Sequence, residues 1–147
     1  MSLAIHHFLS ASDEEQLIEA IRKAESNTSG EIRIHIEKNS PIEDTFERAM
    51  DVFHNLKMDN TKLQNGVLIY VAIEEKSFVI YGDKGINDVV PINFWDETRD
   101  VIVSHFKKGH YKDGLVAGVL NAGEQLEKFF PWEEAHGNEL SNEISKG

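Results

Sequence analysis

The sequence predicts an α/β protein: a three-layer α/β/α sandwich in which a small mixed sheet carries helices on both faces. Three observations lead to this fold class. Two segments with strand patterns are separated by a helical segment, which makes them parallel neighbours in one sheet. A third strand pattern follows the second after a short turn, so it returns antiparallel. Further helical segments precede and follow the strands, enough to cover both faces.

The first helix and the first strand have clear patterns. Leu17, Ile18, Ile21 and Ala24 form an apolar stripe at helical spacing. Ser12 and Glu15 form a capping-box pattern that predicts where this helix starts. Residues 31–37 then alternate strictly between polar and apolar side chains. This alternation predicts a strand with one polar face, close to an edge of the sheet.

A second helix and a hairpin follow. Ser40 is the predicted cap, Pro41 the first helical residue and Glu43 the third residue of a capping box. Residues 67–73 are apolar without alternation, which predicts a central strand covered on both faces. After a three-residue turn, residues 77–81 form the returning strand.

Two longer helices complete the domain. We expect Asn93 to cap the third helix and Gly109 to end it, and Asp113 to cap the fourth, which runs to Pro131. The fourth helix has a shallow surface that predicts close helix packing, formed by Gly114, Gly118, Ala122 and Gly123.

Size and composition indicate one domain over residues 1–147, with its core at about 8–130 and an acidic tail at 131–147. No linker, low-complexity stretch or internal repeat divides the chain. The longest apolar run has seven residues, too few to span a bilayer. The start of the chain has no signal-peptide pattern. We therefore expect a soluble, cytoplasmic protein without membrane insertion.

Charge and cysteine content exclude several functions. The formal net charge is −11, from 15 basic and 26 acidic residues. Such an excess disfavours nucleic acids and anionic membranes as partners and favours cations or basic partners. The chain has no cysteine, which excludes disulfides, thiolate nucleophiles and cysteine-ligated zinc. It also lacks the P-loop, dinucleotide-binding, nucleophile-elbow and metalloprotease motifs.

The predicted topology brings polar residues to one edge of the sheet. Glu31 begins the first strand, Asn65 precedes the second and Asp83 follows the third, while Asp88 comes shortly afterwards. Carboxylate and amide oxygens are the ligands that Ca²⁺ and Mg²⁺ prefer. The alternative is that the carboxylates are solvated and Asp83 only terminates its strand.

Residues 105–112 form the one locally basic stretch, with Lys107, Lys108 and Lys112. This stretch precedes a predicted helix N-terminus, a position that favours anions such as phosphate. The alternative is a solvated helix end, where lysines are favourable in any case. Any hydrolysis would require a metal-activated water, because the sequence shows no nucleophile.

Several segments, in this order and spacing, resemble the TPM domain family. They are NGVLIYVA at 65–72, YGDKGI at 81–86 and FKKGHYKDGL at 106–115, together with 28–32 after the opening helix. The resemblance covers about residues 8–130. The sequence is most similar to short, single-domain bacterial members without a signal or membrane anchor, among them proteins of marine Bacteroidetes.

This resemblance implies an α/β/α sandwich that binds calcium or another divalent ion through loop carboxylates. Carried over by motif, the implied ligands are Asp83, Asn65, Asp113 and Glu31. Acid phosphatase activity, attributed to plant members, is implied only by the family. One departure is Gln64, where many members have an acidic residue. The absence of a signal and an anchor argues against an exported or photosynthetic role.

Three hypotheses follow. The first is a divalent-cation-binding TPM domain of binding or regulatory type, in which Ca²⁺ or Mg²⁺ is the cofactor. The second is a metal-dependent phosphatase-like hydrolase, in which the lysines of 105–112 hold the phosphate. The third is a protein-interaction module that uses the acidic surface and the tail at 131–147. Under the first, the metal ligands are Glu31, Asn65, Asp83, Asp88 and Asp113.

Overall fold

The computed structural model describes residues 7–132 and 143–147. Within these residues the chain forms five helices and four strands. In chain order they are α1 (Ala11–Glu25), β1 (Glu31–Glu37), α2 (Thr45–Asn55), β2 (Gly66–Ala72), β3 (Ser77–Gly82), α3 (Lys84–Asn87), α4 (Asp96–Phe106), α5 (Tyr111–Phe129) and β4 (Ser145–Lys146). No helix in the described part is long and apolar enough to cross a membrane.

The four strands form one mixed sheet in the order β3-β2-β1-β4. β1 runs parallel to β2, with Glu31 opposite Gly66, and β3 runs antiparallel to β2, with Gly82 opposite Val67. The predicted parallel crossover and the predicted hairpin are both confirmed. The starts of β1 and β2 and the end of β3 therefore lie at one edge, which we call the lower edge of the sheet.

Helices cover both faces of the sheet, as predicted for a three-layer sandwich. One face packs against α1, α4 and α5, with the isoleucines of β1 and alternate residues of β2 in its core. The other face packs against α2, where Phe53 and Ala49 contact Leu68 and Tyr70 of β2. Because every residue of β2 is buried, the uninterrupted apolar run of this strand is explained by burial on both faces.

The small residues of α5 allow close helix packing, which confirms that prediction. A Cβ at Gly118 would lie 2.6 Å from Cγ1 of Ile102 in α4. A Cβ at Gly123 would lie 2.7 Å from the Cβ of Ala24 in α1. Both distances are shorter than normal van der Waals contacts, so glycine at these positions determines how closely α5 approaches its two neighbours.

The predicted starts of α1 and α2 were wrong, because other polar side chains reach the free amides. Ser10 rather than Ser12 caps α1, and Ser10 and Asp13 form a reciprocal capping box. Asp44 caps α2 by accepting hydrogen bonds from the N–H groups of its first turn. Ser40, the predicted cap, instead bonds the backbone of Ile42 in a local turn before the helix.

The later helices also start and end at other residues than predicted. Trp95, rather than Asn93, is the N-cap of α4. His110 is the N-cap of α5, so Asp113 lies inside its first turn and is not the cap. The helix ends at Phe129, before Pro131. Neither α4 nor α5 has a hydrogen bond from the side chain of its N-cap, which is why side-chain capping patterns did not locate these boundaries.

β1 is not an edge strand along its whole length. β4 lies beside it in parallel, with Ser145 opposite His35, and Ile144 enters the core. On the polar face of β1, Glu31, His35 and Glu37 are buried and Arg33 is half-buried, and the exposed fraction of Glu37 is 5%. Of the predicted acidic tail at 131–147, residues 143–147 thus pack onto the sheet, and residues 133–142 lie outside the described residues.

Candidate functional site

The structure brings three of the predicted site residues together at the lower edge of the sheet. The backbone N–H of Glu31 donates to the carbonyl of Asn65, and the N–H of Asp83 donates to the carbonyl of Gly66. Gly66 therefore separates Glu31 and Asp83 on the same face of the sheet. Two strand spacings place their Cα atoms about 10 Å apart. The space over Gly66 is filled by the Met58 carbonyl oxygen and the Phe53 ring, which would lie 3.0 Å and 3.7 Å from a Cβ at this position.

Asp83 is the most distinctive group of this edge. Its Oδ1 atom accepts a hydrogen bond of 2.7 Å from the N–H of Lys84 and caps α3. Its Oδ2 atom is buried and has no hydrogen-bond partner among the described residues. Burial raises the pKa of Asp83, the Lys84 N–H opposes this, and the charge of nearby Asp59 adds to the rise. A carboxylate with one unsatisfied buried oxygen is unfavourable unless a cation or donor reaches it.

The loop between α2 and β2 contributes further oxygens. Asn65 is 1% exposed, and its amide nitrogen donates to Ser29 Oγ, so its amide oxygen is the atom that could bind a cation. Thr61 Oγ1 is buried and has no hydrogen-bond partner within the described part of the chain. A Cβ at Gly85 would lie 2.1 Å from the carbonyl oxygen of Leu63. Glycine in α3 thus lets this loop pack directly beside Asp83.

Glu31 lies at the same edge but is coupled to a residue that sequence patterns did not indicate. Glu25, at the end of α1, accepts a hydrogen bond of 2.7 Å from the N–H of Ile32. Burial raises the pKa of Glu25 to about 9, and the adjacent Glu31 carboxyl, which is hydrogen-bonded to it, adds to the rise. At neutral pH Glu25 therefore retains its proton. Nothing in the sequence pattern pairs an acid at a helix end with the first residue of the next strand.

The remaining two predicted ligands, Asp88 and Asp113, lie at opposite ends of the sheet. Asp88 is the C-cap of α3, exposed and five residues after Asp83, at the same edge. Asp113 lies at the opposite end of the sheet. It follows Tyr111, whose ring packs on Phe106, and Phe106 packs on Phe78 at the start of β3.

The predicted convergence of Asp113 with Asp83 was therefore wrong. The reason is that α4 runs the length of the sheet before α5 begins. Asp113 instead pairs with Lys112 at 2.8 Å. The described residues contain no group of three or more His, Asp or Glu side chains placed to hold a metal ion. A cation at the lower edge would thus depend on neutral oxygens in addition to Asp83.

A second polar cluster, which the sequence analysis missed, lies at the opposite end of β1. Glu37 accepts two hydrogen bonds of 2.8 Å from Arg48 and one of 2.5 Å from Tyr70. His35 Nε2 lies 3.3 Å from Glu37 Oε1, and His35 Nδ1 lies 3.0 Å from Ser145 Oγ. The alternating polar face of β1 was the available signal. It predicts a position close to an edge of the sheet and does not indicate a buried cluster.

The pKa shifts of Glu37, His35 and Tyr70 indicate that this cluster has a structural role. Burial raises the pKa of Glu37, but the hydrogen bonds from Arg48, Tyr70 and His35 outweigh it and lower the pKa to about 2. Burial also lowers the pKa of His35 and raises that of Tyr70. Glu37 is thus ionised at neutral pH, and both of its carboxylate oxygens accept hydrogen bonds. Such an arrangement joins α2, β1, β2 and β4 rather than exchanging protons with a substrate.

Comparison with known proteins identifies the family. The family model of the TPM domain matches residues 5–125. The chain belongs to the TPM domain family. This TPM domain is 65% identical to the BA42 protein of the psychrophilic bacterium Bizionia argentinensis, solved by NMR. The two superpose with a TM-score of 0.90, over 95% of this chain and 96% of BA42. The predicted family and the predicted fold class are confirmed.

Two more distant structures share the fold of this TPM domain. The N-terminal domain of a P. gingivalis protein is 21% identical, with a TM-score of 0.67, over 84% of this chain and 79% of that one. The N-terminal domain of cg2496 from Corynebacterium glutamicum is 14% identical, with a TM-score of 0.64, over 80% and 74%. Comparison with curated proteins gives no match.

The basic stretch of this TPM domain lies away from the lower edge. Lys107 follows α4 and Lys112 belongs to the first turn of α5, at the same end of the sheet as Phe78. Lys112 is paired with Asp113. The predicted phosphate-holding lysines and Asp83 therefore lie at opposite ends of the sheet and do not form one site.

Proposed function

We propose that this TPM domain binds a divalent cation, Ca²⁺ or Mg²⁺, at the lower edge of its sheet and acts as a binding or regulatory module. The observation that carries the proposal is Asp83 Oδ2, a carboxylate oxygen that is buried and has no hydrogen-bond partner in the described residues. Hard cations prefer such oxygens. A bound cation would balance the negative charge of the carboxylate and give this oxygen a partner.

Other side chains of the lower edge and of the loop before β2 fit a hard cation in their chemistry. Asn65 and Thr61 offer neutral side-chain oxygens, and Glu31 and Asp88 offer carboxylates at the same edge. Because only some of these groups are charged, and because the carboxylates do not cluster, we expect modest affinity. Sites with few charged ligands bind Ca²⁺ with Kd values of about 10⁻⁴ to 10⁻³ M.

The phosphatase hypothesis gains no support from the geometry. Its two halves, the cation ligands and the lysines of residues 105–112, lie at opposite ends of the sheet. The interaction hypothesis used the acidic surface together with the tail at 131–147. Residues 143–147 of that tail instead pack beside β1, with Lys146 paired to Glu14 at 2.7 Å. Cation binding is therefore the function that the described geometry favours.

The test is a titration of ¹⁵N-labelled protein with CaCl₂ and, separately, MgCl₂, followed by amide chemical shifts at matched ionic strength. We expect saturable shifts at residues 61–66 and 82–88 in the millimolar range. Asp83→Asn keeps the cap of α3, because asparagine also accepts from the Lys84 N–H. We expect this variant to lose at least tenfold in affinity.

Asp113→Asn is the matched control, since Asp113 is exposed and at the far end of the sheet. We expect this variant to bind the cation like the unmodified protein. The proposal fails if the shifts are absent at 10 mM calcium, or if they are equally large with KCl at the same ionic strength. It also fails if Asp83→Asn and Asp113→Asn weaken binding equally.

A further inference from the structure

An apolar cleft opens at the end of the sheet opposite the proposed cation site. Its volume is about 610 Å³, within the range of small-molecule binding sites. The floor is formed by the end of β2 and the start of β3, and the walls by the end of α4 and the start of α5. Phe8, which precedes α1, closes one side. The hypothesis of cation binding leaves this cleft without a role.

Four aromatic rings form a continuous wall of the cleft. Phe8 stacks on Tyr111 with ring centroids 4.5 Å apart, and Phe106 meets Tyr111 edge-to-face at 5.4 Å. Phe78 meets Phe106 at 5.5 Å. None of these rings is fully buried, and Tyr111 is 38% exposed. The cluster thus presents aromatic surface to the cleft that the fold itself does not cover.

Apart from His7 and Ser77, the polar side chains that line the cleft are lysines, although the protein as a whole is strongly acidic. Lys76 in the β2–β3 turn and Lys107 after α4 both line the cleft, and neither has an ion-pair partner among the described residues. The acids beside Lys76 are engaged elsewhere. Glu74 pairs with Lys38, and Glu75 accepts a hydrogen bond from the N–H of Ser40.

The apolar walls favour a ligand with a hydrocarbon part, and the two unpaired lysines at the rim favour one with an anionic head. We propose that the cleft binds a medium-chain aliphatic carboxylate, with its chain along the aromatic wall and its carboxylate at Lys76 and Lys107. The volume favours a chain of the length of decanoate over a small anion such as phosphate, which would leave the apolar walls uncovered. A neutral or cationic amphiphile would leave the two ammonium groups uncompensated.

The proposal predicts two separable contributions to affinity. Each methylene buried in the cleft should strengthen binding about fourfold. Replacing both lysines should weaken carboxylate binding about fivefold, as expected for ion contacts at a partly solvated rim. The same replacement should leave binding of the uncharged alcohol unchanged. An apolar surface without a specific role for the lysines would show the first contribution and not the second.

The experiment measures amide shifts of the full chain with hexanoate, octanoate, decanoate, decanol and decyltrimethylammonium, all below their micelle concentrations. We expect shifts at residues 71–78 and 103–111, with affinity rising along the carboxylate series. The double variant Lys76→Gln/Lys107→Gln should lose affinity for decanoate. Lys108→Gln is the matched control, because Lys108 is exposed and does not line the cleft.

Three outcomes would overturn the proposal. The first is equal binding of decanoate and decyltrimethylammonium. The second is equal loss in the double variant and in Lys108→Gln. The third is a set of NOEs from residues 1–6 to Phe78 that persist at saturating decanoate, since the chain itself would then occupy the cleft. A Val103→Trp variant, which narrows the cleft from α4, should abolish the decanoate shifts.

Discussion

Arg48 in α2 donates two parallel hydrogen bonds of 2.8 Å to the carboxylate of Glu37 at the end of β1. The pair reaches across the α2-facing side of the sheet, because α2 packs on β2 and β3, and β1 is the next strand. Tyr70 of β2 donates to the same carboxylate. A single ionised glutamate thus connects three elements that the apolar core on this face joins only in part.

We expect Arg48→Met to lower the free energy of unfolding by about 3 kcal/mol, because it leaves the buried Glu37 carboxylate without its main partner. Urea denaturation at pH 7 measures this. Arg22→Met is the control: Arg22 pairs with Glu19 on the exposed surface of α1, and such pairs contribute about 0.5 kcal/mol. Equal losses in the two variants would contradict a structural role for the Glu37 cluster.

The same carboxylate should govern stability in acid. The pKa of Glu37 is about 2 in the folded protein, below the ordinary value of 4.5. Its contribution is therefore present above pH 4.5 and is lost as the pH falls towards 2. We expect Glu37→Gln to remove most of this dependence between pH 4.5 and 2. Unfolding free energies over that range measure it, with Glu15→Gln, an exposed change in α1, expected to keep the full slope.

Glu25 should make the stability depend on pH in the opposite direction. Burial next to Glu31 raises its pKa from 4.5 to about 9, so the folded state holds a proton that the unfolded chain releases. Stability from this group is complete below pH 4.5 and falls as the pH rises to 9. We expect Glu25→Gln, which keeps the acceptor for the Ile32 N–H, to be stabilising at pH 8 and nearly neutral at pH 4.5. A variant with the same stability profile as the unmodified protein would refute the raised pKa of Glu25.

The strands were predicted well because periodicity reflects burial directly. Residues 31–37 alternate, and β1 has these bounds; residues 67–73 are uniformly apolar, and β2 is buried throughout. Helix starts were predicted poorly. Several serines and acids precede α1 and α2, and which of them caps is decided by local geometry that spacing does not contain. β4 has only two residues, and more than a hundred residues separate it from β1 along the chain. No local pattern predicts a pairing between segments so far apart.

The lower edge was predictable because strand direction alone brings Glu31, Asn65 and Asp83 together. The coupling of Glu31 to Glu25 was not, since it depends on where α1 ends relative to β1. Asp113 was assigned to the edge through a motif resemblance, which carries no information on which end of the sheet a helix occupies. The lining of the cleft could not be predicted from local patterns either, because its residues come from five separate segments.

Close packing of α5 against α1 provides a further prediction. Alanine is the better helix former by about 1 kcal/mol, yet its Cβ at position 123 would lie 2.7 Å from the Cβ and 2.9 Å from the Cα of Ala24. We expect Gly123→Ala to destabilise by about 1–3 kcal/mol, because backbone atoms of α1 must move. Thermal denaturation measures this. Glu124→Ala, one residue on and exposed, should change stability by less than about 0.5 kcal/mol. A stabilising Gly123→Ala would show that the two helices separate freely.

Asp83 should affect stability with opposite sign in the absence and in the presence of a cation. Burial raises its pKa, so the fold disfavours the ionised form, and this loss of stability develops as the pH rises from the ordinary value of 3.8 through the raised pKa. With EDTA present, we therefore expect Asp83→Asn to be at least as stable as the unmodified protein. Calcium at ten times its Kd should stabilise the unmodified protein by about 1.4 kcal/mol and leave the variant unchanged. Thermal unfolding in EDTA and in calcium measures both differences.

Asp113→Asn should respond to calcium as the unmodified protein does. If calcium stabilises Asp83→Asn to the same extent, the cation binds elsewhere, and the unsatisfied oxygen of Asp83 is only a cost of the fold.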